Sequence, residues 1–213
     1  MMNLTIDKFQ KLQAIAAIET EEIEKASRLV QVLLDKSPEE INEMHVKDFT
    51  MLCDKLKSLF DITIDAATMA KPKDIIKANG KTYRVNYELK KPFNTGRYIE
   101  VLTFSKGDPI MNMHNILASI CVPTKWSWTK LKYIDAPYDT IRHEDYADDL
   151  KQADFKHGYH AMVFFYLFLM HSTGASSLYL EEKLKEMMVQ DRKITALKSI
   201  FPILSGGFTT QSK

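Results

Sequence analysis

Apolar residues recur at helical spacing through the first sixty positions, and from Lys71 onward they give way to alternation of period two. In residues 4–18, LTIDKFQKLQAIAAI, the positions Phe9, Leu12, Ile15 and Ala16 predict a short first helix. A second begins near Thr20 and puts Ile23, Ser27, Val30 and Leu34 on one face, with Ala26, Leu29 and Leu33 beside it. Glu21, Glu22 and Glu24 occupy its first turn, where the positive end of the helix dipole favours anions. Ser37-Pro38-Glu39-Glu40 is a helix start: a serine at the cap, proline at the first helical position, and a glutamate able to reach back to the cap amide. That helix is brief, because MHVKDFTML opens another whose stripe is Phe49, Leu52, Leu56, Leu59 and Phe60. Residues 20–60 therefore read as an antiparallel helical hairpin with an inserted turn.

In the middle of the chain, Asn79-Gly80 separates Ile75-Ile76 from Tyr83-Val85-Tyr87, the signature of a tight β-hairpin. Asn94-Thr95-Gly96 predicts a further turn before a strand carrying Tyr98, Val101 and Phe104. Residues 112–122 predict a helix closed by Pro123, and KWSWTKLKYIDAPY a strand or an extended arm with Trp126 and Trp128 on one side. Residues 144–154 form a short acidic helix, followed by the most apolar run, YHAMVFFYLFLM. Twelve residues at 1.5 Å each reach roughly 18 Å, short of the ~30 Å hydrocarbon core of a bilayer, so a buried helix is expected and no membrane segment. Gly174 should follow that helix, SSLYLEEKLKEMMVQDRKI should form another, and FPILSGGFTTQSK is a loose tail. The fold class is α+β, predominantly helical with a small antiparallel sheet in the middle of the chain. A helical module over 1–70 is followed by the sheet and C-terminal helices over 71–213, packed with the first as one unit.

The 213 residues are 45% hydrophobic and 27% charged, the balance of a globular protein. A net charge of +1 conceals four blocks: −3 over residues 1–77, +6 over 78–133, −6 over 134–191 and +4 over 192–213. Such blocks pair within one fold or across a contact, where complementarity governs orientation and encounter. In the basic block, Arg84, Lys90, Lys91, Arg97, Lys125 and Lys130 are candidate contacts to nucleic acid or to an acidic partner. Trp126 and Trp128 are candidate partner-binding aromatics, and Tyr83, Tyr87, Phe93, Tyr98 and Phe104 could add stacking surface. No nucleic-acid-binding signature accompanies them. Cys53 and Cys121 lack metal-ligand spacing and read as buried, reduced thiols, and the N-terminus lacks the pattern of a signal peptide; both features favour a reducing cytosol.

Candidate chemistry is thin. Asp154, His157 and His160 share a helical face, but their spacing matches no familiar metal motif. Asp145, Asp148 and Asp149 read as a solvated acidic face rather than an acid–base pair. Ser105-Lys106-Gly107-Asp108-Pro109 lacks the frame of a phosphate-binding loop, no serine lies in a nucleophile elbow, and most of the eleven methionines read as core. No catalytic residue, metal ligand or cofactor is assigned, and the chain reads as a non-enzyme.

The segment SRLVQVLLDKSPEEINEMHVKDFTMLCDKLKSLF, followed by IKANGKTYRVNYEL, resembles the tail assembly chaperones of tailed bacteriophages and related tail or virion assembly proteins, over about residues 5–105. That resemblance implies a helical, non-enzymatic adaptor that holds the tape-measure protein soluble in the host cytoplasm. Its partners would be tape-measure, tail or portal-proximal proteins, with self-assembly into an oligomer. A structural component retained in the virion, such as a ring, connector or packaged protein, is the alternative, and nucleic-acid binding through residues 78–133 a second.

Overall fold

A computed structural model of the chain describes residues 4–57, 72–87 and 95–173. The fold is α+β, with a four-stranded antiparallel sheet in the middle of a mostly helical chain. The described residues fall into two compact units: Leu4 with 8–57, and 5–7 with 72–87 and 95–173.

The first unit is helical. Helix α1 spans Ile6–Ala17, α2 Glu22–Leu34, α3 Pro38–Asn42 and α4 Val46–Lys57. The buried stripe of α2 is Ala26, Leu29, Val30 and Leu33, whereas Ile23 is left 61% exposed, so the face is rotated from the Ile23–Ser27–Val30–Leu34 line expected from spacing. Phe9 and Leu12 of α1, Ile41 of α3 and Cys53 of α4 are likewise buried. Each such aliphatic or aromatic side chain removed from water stabilises the fold by roughly 1.5–3 kcal/mol. Helix α2 stops at Asp35, which adopts the left-handed conformation at φ 54°. Lys8 seals this end, donating to the carbonyl of Leu33 at 3.2 Å and pairing with Asp35 at 2.5 Å, a cation where the helix dipole favours one. The start of α3 is the expected capping box: the Ser37 hydroxyl accepts from the Glu40 amide at 3.2 Å, and the Glu40 carboxylate accepts from the Ser37 amide at 2.8 Å.

In the second unit, β1 (Ile75–Ala78) and β2 (Lys81–Val85) form the hairpin expected at Asn79-Gly80, both turn residues having positive φ (48° and 70°). Helices α5 (Thr95–Ser105) and α6 (Met113–Ile120) then lead to β3 (Cys121–Ser127), which pairs with β2, and to β4 (Lys132–Asp135). The chain finishes with α7 (His143–Lys151) and α8 (Phe155–Thr173). One sheet face buries Ile76, Ala78, Tyr83, Val85 and Cys121. Helix α8 is apolar on nearly every side, with Tyr159, Met162, Phe165 and Tyr166 all buried, and among the described residues no helix is long and apolar enough to cross a membrane. Gly158 allows close packing here, since a Cβ would stand 2.9 Å from Ile6 Cδ1. The backbone of Ile6 is held at 3.0 Å by the carbonyl of Ala153, which ties residues 5–7 to this unit.

Two expectations are corrected. The segment with Tyr98, Val101 and Phe104 is helix α5, not a strand: a spacing of three is helical, and Arg97, Val101 and Ser105 form its buried line. Pro123 lies inside β3 rather than closing α6. Its missing N–H would face Ala136, one residue past the end of β4, so little pairing is lost. Gly174, the helix expected after it and the tail lie outside the described residues.

Replacing Ser37 by alanine removes one half of the capping box. Thermal denaturation is expected to show a loss of about 1 kcal/mol, with the sheet-containing unit unaffected in its own transition.

Candidate interaction surface on the sheet

The positions that carry chemistry gather around one end of the sheet. Asp149, on the buried face of α7 beside Tyr146 and Leu150, is only 4% exposed. Its carboxylate accepts from Asn79 Nδ2 at 2.7 Å, Lys81 Nζ at 2.6 Å and the Tyr83 hydroxyl at 2.5 Å. Burial alone would raise its pKa, but these three donors outweigh it and hold the carboxyl below its ordinary value of 3.8. The same burial, with the neighbouring carboxylate, raises the pKa of the Tyr83 phenol. A member of the acidic block thus meets the basic block inside one fold.

The β3–β4 hairpin extends beyond this anchor. Trp126 packs edge-on against Tyr133 (5.1 Å between centroids) and against Trp128 (6.2 Å). Trp128 is 81% exposed and Leu131 71%, with Leu131 taking positive φ in the turn. Lys125, Lys130 and Lys132 are exposed on the same hairpin. Beside it lies an open cleft of about 840 Å³, floored by Lys81, Tyr83, Pro123 and Lys125, walled by Pro137, Asp139, Arg142 and Tyr146, with Trp126 and Tyr133 at its margin.

Of the expected contacts, Lys125, Lys130, Trp126 and Trp128 stand together on this hairpin, exposed. Arg84 is near but committed: its guanidinium donates to the Tyr133 carbonyl at 2.8 Å and pairs with Asp135 at 3.1 Å. Arg97 is a correction. It is fully buried, donating to the carbonyls of Ser119 and Cys121 at 2.6 Å each, with its guanidinium 4.0 Å from the Tyr138 ring centre, so it offers a partner nothing. Its charge answers the carbonyl end of α6 rather than a ligand. Lys90, Lys91 and Phe93 lie outside the described residues. Tyr83 and Tyr87 are buried, and Phe104 stacks on His143 at 5.3 Å.

The other candidates resolve locally. Asp154 caps α8, accepting from the His157 amide at 2.9 Å, and among the described residues no cluster of three His, Cys, Asp or Glu side chains is arranged to hold a metal. Asp145 and Asp148 pair on the helix surface with Arg142 (3.1 Å) and Lys151 (2.7 Å), as a solvated face should; Asp149 does not, and the expectation fails for it alone. Its spacing of three from Tyr146 on the same helix was the available signal. Ser119 Oγ lies 3.0 Å from His143 Nε2, yet Ser119 is buried and its hydroxyl donates to the Asn115 carbonyl, so it presents no nucleophile. Cys53 and Cys121 are buried thiols outside any disulfide, and burial pushes the Cys121 thiol up to about 12, far from a reactive thiolate. Comparison with protein-family models, curated proteins and solved structures gives no match.

Two acid limbs should appear in the stability of the second unit. Burial, reinforced by Lys151 and His143 against Asp148 and Asp7, lowers the His114 pKa to about 4 from 6.5. The unfolded chain therefore takes up this proton first, so stability present above pH 6.5 declines as pH falls toward 4. His157, lowered mainly by burial, acts in the same direction. Asp149 contributes stability above pH 3.8 that is lost as pH falls through its still lower folded value. Denaturation across pH 3–8 should show both limbs. His114→Gln should shallow the upper, and Asp149→Asn should flatten the lower while costing on the order of 2 kcal/mol at neutral pH, the scale of charged hydrogen bonds.

Proposed function

We propose that this chain is a non-enzymatic protein-binding protein that docks an acidic surface of its partner through the β3–β4 hairpin. Its resemblance to tail assembly chaperones suggests the setting: a chaperone or adaptor in assembly of a tailed bacteriophage particle, acting in the host cytoplasm on a tape-measure or other tail protein. The observation that carries the docking surface is the hairpin itself. Trp128 and Leu131 stand almost wholly in solvent at its turn, flanked by Lys125, Lys130 and Lys132. Exposed tryptophan ringed by cations is the composition of an interface anchor, where a few aromatic side chains carry most of the binding energy.

A protein partner is favoured over nucleic acid by what became of the candidate cations. Arg97 is buried and Arg84 is held by Asp135 and the Tyr133 carbonyl. That leaves only Lys125, Lys130 and Lys132 exposed on the hairpin, few contacts for the length of a phosphate backbone but enough to orient an acidic protein surface.

The test is reconstitution. Purified chain mixed with the tape-measure protein, and separately with tail and portal-proximal proteins, should form a complex or keep the partner soluble. Combined Trp128→Ala and Leu131→Ser should weaken that complex about tenfold or more with the circular dichroism spectrum unchanged. Binding to none of these proteins, or binding indifferent to the double change, would refute the proposal.

A further inference from the structure

The core-facing side of the sheet runs on past the core. One residue beyond the pairing of Thr82 with Thr124, the same register sets Lys81 across from Lys125. Like charges directly opposite on neighbouring strands repel, so this placement destabilises the sheet unless something compensates it. Lys81 is compensated, by Asp149 at 2.6 Å; Lys125 has no acidic partner among the described residues. Across the cleft stands a third cation, Arg142, braced by Asp145 at 3.1 Å and lying 5.6 Å from the Tyr146 ring centre. Three cations from separate elements, with Asp139 the one carboxylate among the described lining residues, thus line one recess of about 840 Å³, within the range of about 300–1,000 Å³ usual for small-molecule sites. At its margin, Trp126 is 43% exposed and meets Tyr133 edge to face, offering ring surface to a planar group.

We propose that this cleft binds a small phosphorylated ligand bearing a planar ring, of the nucleoside monophosphate class. Lys125 and Arg142 meet the phosphate from opposite sides, the guanidinium suited to paired phosphate oxygens and the ammonium acting as a point charge. Lys81, fixed by Asp149, raises the local potential without having to be ordered on binding. The ring lies toward Trp126 and Tyr133. A dianion in the recess gives Lys125 the counter-charge it lacks, so binding should stabilise the folded chain as well as fill the cleft. The site is separate from the hairpin turn: Trp128 and Leu131 do not line it.

Isothermal titration of the full chain with adenosine 5′-monophosphate at low salt provides the test, with adenosine and inorganic phosphate titrated alone. The monophosphate should bind saturably, at least about tenfold tighter than either part, and raise the midpoint of thermal unfolding. Lys125→Met and Arg142→Met, both at exposed positions, should each weaken it about fivefold or more with the fold intact, whereas Leu131→Ser should leave it unchanged. Absence of saturable binding, phosphate alone binding as tightly as the monophosphate, or affinity indifferent to Lys125→Met would each overturn the assignment. A short oligothymidylate binding more than about tenfold tighter than the mononucleotide would move the same chemistry to a nucleic-acid strand and overturn the small-ligand assignment. Because Leu131→Ser bears on the protein partner and Arg142→Met on the nucleotide, failure of one proposal is distinguishable from failure of the other.

Discussion

A buried carboxylate sets the geometry of the sheet end. Removing an ion such as Asp149 from water costs several kcal/mol, and the cost is met only if its lone pairs are filled with good geometry. Here Asn79, Lys81 and Tyr83 fill them at 2.5–2.7 Å, the lengths of charge-assisted bonds. The three donors come from the β1–β2 turn and the strand after it, so one side chain on α7 fixes the turn, the lysine beyond it and the ring below. With Tyr83 packed edge-on against Tyr146 at 6.2 Å, the β2 and α7 sides of the cleft are joined. An asparagine-glycine turn is free to flex in isolation; tied to Asp149, it becomes a rigid rim.

Arg97 is the counterpart of opposite sign. Its guanidinium is covered completely, and it donates to the backbone carbonyls of Ser119 and Cys121, at the negative end of α6. The Tyr138 ring covers it at 4.0 Å, which couples the segment after β4 to α5. Both buried charges are answered mainly by groups whose position depends on correct strand register: slip β3 by one residue and Cys121 would present its carbonyl to the wrong side. Such interactions contribute less to net stability than hydrophobic burial does, and more to the uniqueness of one packing. The apolar residues of α8 could repack; Arg97 has few alternatives to these carbonyls.

What the sequence made legible was local. The capping box at Ser37 and Glu40, the turn at Asn79-Gly80 and the buried helix around Met162 each depend on residues a few positions apart, and each appears as expected. The strand expected at Tyr98–Phe104 failed because alternation was assumed to continue past a turn, although a spacing of three already favoured a helix. Asp149 and Arg97 failed for a different reason. Their partners lie 66–70 residues away for Asp149 and 22–24 for Arg97, and charge in a sequence is read as exposed until a partner is known. The cleft was equally hidden, since Lys81, Lys125 and Arg142 come together only through strand register. The two tryptophans were found because their environment is simple: they stand at the end of a hairpin with nothing described above them.

That exposure is itself informative. A hairpin turn of Trp128, Thr129, Lys130 and Leu131 would be more soluble with polar residues at both apolar positions, and neither side chain is buried to stabilise the fold. The rings are nonetheless ordered against one another, with Trp126 edge-on both to Trp128 and to Tyr133, so their rotamers are restricted before any contact is made. A partner meeting this surface would lose little side-chain entropy at the aromatic positions, and the flanking lysines would orient its approach. Aromatic side chains that pack on one another while left uncovered are what the proposed docking role of the hairpin asks for.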